Sequence, residues 1–297
     1  MSDIFFLSLP NARIAYRLYE NPEAQSDRAC LLLHGAGVAG EITFSPMLPY
    51  FTQWRWMLVP DLKGMGDSFH CHGEKGEFHH HGEEGAVSIA ELTEEVEALL
   101  THVKWDDFDL VAYSLGGLVA LNLNYQRSLQ GKKKVKMALL EPASLDREDL
   151  SNLMDVRQKY RHASKLIRDT GDVELGVASF MDGVSPNRRK HPVAEATTQS
   201  RLAHRPFGFA YALDAVTDHV ALMAEEPHIR QAMIEASEQV FLFSGKLSHE
   251  ALRQHYDLLS EQNTAWQHKT MSACDHSLPF QKPRQIANHI NKWFTTV

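Results

Sequence analysis

The sequence predicts an α/β fold, in which a mostly parallel central sheet of about eight strands is flanked by helices. Short apolar stretches typical of buried strands alternate with amphipathic helical patterns, the order produced by repeated β–α–β units. Strand patterns are missing between residues 143 and 238, where helical patterns follow one another. We therefore expect a core of residues 1–142 and 239–297, with residues 143–238 forming a helical lid inserted in the core.

The predicted elements follow one another along the chain in a simple order. An antiparallel hairpin that turns at Asn11 opens the chain, and two apolar strands follow before the first clear amphipathic helix. That helix carries apolar residues at helical spacing against acidic neighbours, which is typical of a crossover helix. Later predicted strands cover residues 134–140, 239–243 and 264–271; predicted helices cover residues 91–103, 148–168, 194–202, 207–223, 227–237 and 283–294.

Composition restricts the class of partner. The 297 residues are 43% hydrophobic and 23% charged, which is ordinary globular usage and predicts a sizeable core. The net charge of -8 comes from acidic residues spread along the chain, so nucleic acid is not expected as a partner and a small-molecule substrate is. Neither a basic, apolar leader nor an apolar run of the ~18 residues that span a membrane is present, so we expect a cytoplasmic protein without a membrane partner. The composition leaves the oligomeric state open.

The most informative segment joins a buried strand to a helix through one serine. Residues 108–123 read FDLVAYSLGGLVALNL, with Ser114 between small residues at positions 112 and 116. A sharp strand-to-helix turn of this kind lifts the serine Oγ clear of the sheet. It also leaves the Leu115 N–H at a helix N-terminus, where it suits an anion developing on a substrate carbonyl. The turn therefore predicts a nucleophile and half of an oxyanion hole.

Three further motifs surround this turn in the sequence. Upstream, an apolar strand runs into the small-residue loop His34-Gly35-Ala36-Gly37, whose backbone N–H groups can approach a ligand closely. A second strand ends in the Asp- and Gly-rich turn of residues 61–68. Near the end of the chain, a predicted strand leads to His276.

In this order the four motifs resemble those of the α/β-hydrolase family, and the resemblance covers nearly the whole chain. It implies that Ser114 is the nucleophile, that His276 is the general base, and that the N–H groups of Ala36 and Leu115 form the oxyanion hole. The first small residue of the turn is Ala112 instead of the usual glycine, a difference of one methyl group. The implied activity is hydrolysis of a small carbonyl substrate, a carboxylic ester by expectation, through an acyl-enzyme. Cleavage of a C–C, amide or thioester bond is the alternative within this class.

The substrate pocket is expected between the sheet and the lid, because a lid at this point of the family's fold lies over the nucleophile. Each lid aromatic also has a simpler interpretation, which is packing of the lid onto the core. The residues predicted to contact substrate are Gly35, Gly37, Tyr113, Phe180, Phe207 and Tyr211.

The acid of the triad is less certain from the sequence. In most relatives an aspartate follows the penultimate strand, and Ser248 stands at that position here. Glu141, at the end of the preceding strand, is the predicted replacement, since polar side chains of parallel sheets cluster at carboxyl strand ends. Glu250 and Asp218 are weaker candidates, and a triad without an acid is a fourth possibility. The missing aspartate also motivates a rival function, that of a ligand-binding or scaffolding homologue with weak or no turnover.

A segment rich in His, Gly and Glu covers residues 70–84. Its imidazoles, thiol and carboxylates are ligand types for zinc, copper or nickel, but no regular spacing fixes three of them together. We predict a mobile, solvated loop that holds no required metal. No organic cofactor is expected, because neither a dinucleotide-binding nor a phosphate-loop glycine pattern occurs in the right context.

Overall fold

A computed structural model describes residues 3–72, 77–78 and 84–295 of the chain. Ten strands in these ranges form one sheet, ordered β10-β9-β8-β7-β3-β4-β2-β5-β6, with β1 paired to β2. The strands from β10 to β4 in this order are all parallel, and those around β2 are antiparallel. The predicted mostly parallel sheet is confirmed. The strands are β1 Phe5–Leu9, β2 Ala12–Glu20, β3 Ser26–Leu33, β4 Trp54–Pro60, β5 Phe69–His72, β6 Glu77–Phe78, β7 Asp109–Tyr113, β8 Met137–Leu140, β9 Val240–Gly245 and β10 Trp266–Met271.

Helices cover both faces of the sheet. One apolar cluster packs the sheet against the helices of residues 89–102 and 115–129, and a second packs the other face against the C-terminal helix. The helices are α1 Gly40–Phe44, α2 Ile89–His102, α3 Leu115–Leu129, α4 Leu150–Thr170, α5 Val173–Val184, α6 Pro192–Leu202, α7 Pro206–Glu225, α8 Pro227–Ala236, α9 Glu250–Gln262, α10 Leu278–Gln281 and α11 Pro283–Thr295, with a 3-10 turn at Leu48–Tyr50.

The strand register brings several strand ends to one edge of the sheet. In the centre of the sheet, Leu33 of β3 pairs with Ala112 of β7, and Tyr113 of β7 pairs with Leu140 of β8. Leu140 in turn pairs with Phe243 of β9. The residues that follow these strands therefore emerge side by side, as ligand-facing residues of parallel sheets do.

The helical insertion between β8 and β9 consists of α4 to α8, all within the predicted span of residues 143–238. Four of the five had been predicted, and α5 had not. This helix contains Gly176 and Gly183, which lower its helix propensity and obscure the pattern. Packing explains Gly176, because a Cβ there would lie 2.4 Å from Ile167 Cγ1 of α4.

A buried ion pair ties the insertion to the core. Arg205, at the start of α7, lies 2.6 Å from Glu84 through its Nε, and both side chains are almost fully buried. The same guanidinium donates to the carbonyl oxygens of Gly66 and Ser68 at 3.0 and 2.5 Å. The insertion is thereby fixed to the loop that follows β4.

Over the described ranges, none of the helices combines the length and the apolar character that a membrane crossing requires.

Candidate active site

Ser114 occupies a strained turn between β7 and α3. Its φ of 53° and ψ of -115° lie where side-chain-bearing residues are rare, and such strain concentrates at functional sites. The turn is tight because α3 starts directly against β3: a Cβ on Gly116 would lie 2.4 Å from the Leu33 carbonyl oxygen. The Gly116 N–H donates to the His34 carbonyl, which joins the serine turn to the small-residue loop after β3.

His276 links Ser114 to Glu141. Its Nε2 lies 3.1 Å from Ser114 Oγ, and its Nδ1 lies 2.7 Å from Glu141 Oε2. In the tautomer that fits both contacts, Nδ1–H donates to the carboxylate and Nε2 accepts from the serine hydroxyl. The ring of Tyr113 packs against the imidazole at a centroid distance of 5.2 Å. The structure therefore brings together the three residues predicted from the sequence as nucleophile, base and acid.

Glu141 is held in place by three donors. Besides His276, its carboxylate accepts from Gly245 N at 2.7 Å and from Ser248 Oγ at 2.6 Å, both on Oε1. Its backbone φ of 44° is positive, as is that of Ser114, so two of the three site residues sit in strained backbone. Ser248, which occupies the position of the expected aspartate, is therefore a donor to Glu141.

The other two candidate acids lie elsewhere. Glu250 begins α9 and its side chain is exposed. Asp218, on α7, forms an ion pair with Arg161 of α4 and is largely exposed. Neither contacts His276.

Ala36 and Leu115 are the residues predicted to form the oxyanion hole. Both residues line a cavity that Ser114 and His276 also line, and neither N–H has an acceptor in the described part of the chain. His34 fixes the Ala36 loop: its Nδ1–H donates to the Gly35 carbonyl at 2.7 Å, and its Nε2 accepts from Leu62 N–H at 2.8 Å. Burial lowers the pKa of His34, which suits this neutral, bridging tautomer.

Two cavities meet at Ser114. The larger holds about 460 Å³ of empty space, partly open to solvent, and is mostly apolar. The smaller holds about 370 Å³ and reaches Glu141. Of the residues predicted to contact substrate, Tyr113 and Phe180 line the larger cavity, and Phe180 lines both.

The other four predicted contact residues do not line either cavity. A Cβ on Gly35 would lie 2.8 Å from the Tyr113 ring, so this glycine allows the loop to pack on the serine turn. Gly37, with a φ of 75°, shapes the loop itself. Phe207 and Tyr211 are four residues apart on α7 and share a face that points away from the cavities; Tyr211 lies under Arg168, 5.4 Å from its guanidinium carbon.

On the opposite face of α7, Phe209 packs edge to face on Phe180, with ring centroids 5.1 Å apart. The same face of α7 brings Leu213 and Val216 to the wall of the smaller cavity.

Four polar residues of the cavity walls were not predicted from the sequence. Arg157 and Tyr160 of α4 line the smaller cavity, where the Arg157 Nη2 lies 2.9 Å from Asp146 Oδ2. Arg201 and Thr198 of α6 line the larger one. One signal was available: Arg157 interrupts the apolar stripe of α4 at helical spacing and is nonetheless buried.

A second Ser–His–Asp arrangement lies away from the cavities. Ser244 Oγ is 2.7 Å from His268 Nε2, and His268 Nδ1 is 2.7 Å from Asp257 Oδ1. Ser244 lies within β9 and is fully buried, so no substrate reaches it. It has neither the strained turn nor the neighbouring N–H groups of Ser114. Hydrogen-bond distances alone therefore do not distinguish a nucleophile in this chain.

Part of the His-rich segment lies outside the described residues, namely positions 73–76 and 79–83. At its two ends, His70 and Glu84 are buried instead of solvated, and Glu84 pairs with Arg205. No cluster of three or more His, Cys, Asp or Glu placed to hold a metal ion occurs among residues 3–72, 77–78 and 84–295.

A strained serine turn between a parallel strand and a helix is the arrangement of the nucleophile turn in α/β-hydrolase folds. The alpha/beta hydrolase family pattern matches residues 30–289, and the chain belongs to that family. It is a hydrolase of the α/β-hydrolase type.

Solved structures share the fold at low sequence identity. A hydrolase from Pseudomonas aeruginosa is 18% identical, with a TM-score of 0.69 and coverage of 98% of both chains. MenH from S. aureus is 18% identical, with a TM-score of 0.69 and coverage of 97% of this chain and 98% of that one. Haloalkane dehalogenase DbeA from Bradyrhizobium elkani is 17% identical, with a TM-score of 0.69 and coverage of 99% of this chain and 97% of that one. Among curated proteins, none matches this sequence.

Proposed function

We propose that this protein is a serine hydrolase that cleaves a carboxylic ester through an acyl-enzyme on Ser114. The observation that carries the proposal is the continuous hydrogen-bond chain from Glu141 through His276 to Ser114, ending at an Oγ that faces both cavities. A serine, an imidazole and a carboxylate in this order are the components of nucleophilic acyl transfer.

The reaction follows from the roles of these atoms. Ser114 Oγ attacks the substrate carbonyl carbon while its proton passes to His276 Nε2. The oxyanion accepts hydrogen bonds from the Ala36 and Leu115 N–H groups, and Glu141 stabilises the imidazolium. The imidazolium then protonates the departing alcohol oxygen as the C–O bond breaks. Water, deprotonated by His276, attacks the acyl-enzyme, and the acid product leaves with Ser114 restored.

The nature of the nucleophile favours a carbonyl substrate. Displacement at a saturated carbon would leave an ether on Ser114, which water does not readily cleave, whereas an acyl-serine ester is hydrolysable. The structural neighbours do not decide between a carbonyl substrate and a saturated carbon centre, because one fold hosts many reactions. The rival function as a non-catalytic binding protein was motivated by the missing aspartate at position 248, and a Glu141 carboxylate in contact with His276 argues against it.

Covalent labelling with a fluorophosphonate tests the proposal. The wild-type protein should react at one serine and hydrolyse para-nitrophenyl acetate, and Ser114→Ala should lose both properties. Ser244→Ala is the matched control, since Ser244 also contacts an imidazole but is fully buried. It should keep both. A Ser114→Ala protein with near wild-type turnover, or a wild-type protein that the probe leaves unmodified, would refute the assignment.

A further inference from the structure

The larger cavity contains one cationic side chain without an acidic partner. Arg201 of α6 lines this cavity together with Ser114 and His276, and its guanidinium carbon lies 4.1 Å from the centroid of the Phe280 ring. No carboxylate in the described ranges contributes to the electrostatic surroundings of Arg201. Partial burial lowers the pKa of Arg201, which reflects the cost of holding its charge away from water.

Three other arginines of the insertion place their guanidinium groups within 3.0 Å of an acidic side chain: Arg157 with Asp146, Arg168 with Asp214, and Arg188 with Glu195. The buried Arg230 instead donates to the backbone carbonyls of Arg147 and Glu148. Charged groups withdrawn from water are normally paired. A partner supplied from outside the chain would complete the pattern.

The surroundings of Arg201 favour a planar, singly charged partner. The guanidinium presents a fork of N–H donors, which matches the two oxygens of a carboxylate. Tyr113 and Thr198 line the same cavity as Arg201 and bring two hydroxyl groups to its wall. The remaining wall is apolar and aromatic, including Phe180 and Phe280. A doubly charged phosphate would leave one charge uncompensated in this setting.

We propose that the substrate carries a carboxylate that binds Arg201, on an apolar or aromatic skeleton that fills the larger cavity. This inference rests on the proposed serine hydrolase function and specifies its substrate class. Arg201 is then a specificity-determining residue that binds a part of the substrate remote from the scissile bond.

Two aryl acetates that differ only in charge test this inference. Para-acetoxybenzoate carries the carboxylate, and para-acetoxybenzamide is its neutral counterpart of similar size. The wild-type kcat/KM for the benzoate should exceed that for the benzamide by about tenfold or more, because hydrogen bonds to charged groups are the stronger ones. In Arg201→Gln the ratio of the two kcat/KM values should fall by about 10- to 100-fold. Arg201→Lys should retain part of the preference, since it keeps the charge without the fork.

Arg189→Gln is the matched control, because Arg189 is an exposed arginine just before α6 and lines neither cavity. It should leave the ratio unchanged. Equal wild-type kcat/KM values for the two esters, or an equal loss for both in Arg201→Gln, would overturn the inference while leaving the hydrolase proposal intact.

Calorimetric binding tests the carboxylate site independently of the proposed hydrolase activity. If the wild-type protein hydrolyses neither ester, the proposed function fails, and the charge preference is still measured by titrating both compounds into the Ser114→Ala protein. Tighter binding of the benzoate, lost in Ser114→Ala/Arg201→Gln, supports the carboxylate site. Equal binding of the two compounds, or binding of neither, refutes it.

Discussion

At the scale of single residues, Glu141 illustrates where local sequence stops being informative. Glu141, Glu250 and Asp218 are all acidic, and the sequence favours Glu141 only because it directly follows an apolar strand pattern. Strand order ranks them: β8 lies between β7 and β9, so its end faces both the serine turn and the loop after β9. A contact between residues 135 positions apart is a property of the assembled sheet.

Replacing Glu141 by Gln tests the acid directly. The amide fills the same volume, but its NH₂ must face either His276 Nδ1–H or the donors Gly245 N–H and Ser248 Oγ. One set of hydrogen bonds is lost in each orientation. We expect kcat to fall by about 10³- to 10⁴-fold, as in other triads whose imidazole tautomer is disturbed. Steady-state hydrolysis of para-nitrophenyl acetate gives the measurement.

Glu250→Gln provides the control for this experiment, because Glu250 is exposed and distant from the imidazole contacts. It should retain wild-type kcat. A loss of less than about tenfold in Glu141→Gln would show that His276 does not depend on this carboxylate.

At the scale of secondary-structure elements, the central strands were predictable because each is a short apolar run bounded by turn residues. The helices α5 and α9 were not predicted. The α9 segment nonetheless carries an amphipathic stripe, with Leu252, Tyr256 and Leu259 buried, so its periodicity does indicate a helix. Both faces of α7 carry aromatic residues, so its sequence does not show which face turns to the cavity.

The ion pair between Arg205 and Glu84 should contribute strongly to stability. Both side chains are nearly fully buried, so removing one partner leaves an uncompensated charge in the interior. We expect Glu84→Gln or Arg205→Met to lower the free energy of unfolding by about 3–5 kcal/mol. The double variant Glu84→Gln/Arg205→Met should lose less than the sum of the two single losses. Urea unfolding measures all four proteins.

Arg55→Met is the matched control, because Arg55 pairs with Glu20 at 2.9 Å through two side chains that are 43% and 44% exposed. Its loss should stay below about 1 kcal/mol. Equal effects of the exposed and the buried substitution would mean that the insertion is not anchored by this pair.

His255 of α9 gives the fold a predictable response to acid. Burial, and next the neighbouring Arg230, lowers the pKa of His255 to about 4. The unfolded chain, with an ordinary histidine pKa of about 6.5, therefore binds more protons than the folded one between these values. The contribution to stability is complete above pH 6.5 and is lost as the pH falls toward 4, by an amount on the order of 3 kcal/mol.

Urea unfolding at pH 7 and pH 5 measures this response. Stability should fall less between these values in His255→Gln than in the wild type, because the variant has no proton to gain there. His228→Gln, at a histidine whose side chain is 76% exposed, should follow the wild-type dependence. A His255→Gln profile parallel to the wild type would assign the acid sensitivity to other groups.

At the scale of the whole molecule, the order of motifs along the chain was enough to predict the sheet and the place of the insertion. The cavity walls were not predictable in the same way. Arg157, Tyr160 and Arg201 line the cavities at Ser114 only because α4 and α6 pack over the sheet edge. The sequence of a helix does not show how the helix is placed on the sheet. It therefore does not show which of its polar residues face a cavity and which face solvent.

The activity of the intact protein should not depend on a metal ion. The hydrogen-bond chain from Glu141 to Ser114 already provides the acid, base and nucleophile that acyl transfer requires. We therefore expect hydrolysis of para-nitrophenyl acetate to survive exhaustive treatment with EDTA. Loss of activity that zinc restores would contradict this expectation and would direct attention to the His-rich segment of residues 70–84.

The contact between Ser248 and Glu141 also constrains how the acid could have changed strands during evolution. With Ser248 Oγ 2.6 Å from the carboxylate, an aspartate at position 248 would place two carboxyl groups side by side, and both could not readily be charged. An ancestor that passed from one arrangement to the other went through a form with two acids or with none. Descendants should therefore show the two positions changing as a pair, with a small hydroxyl residue at 248 wherever a glutamate stands at 141.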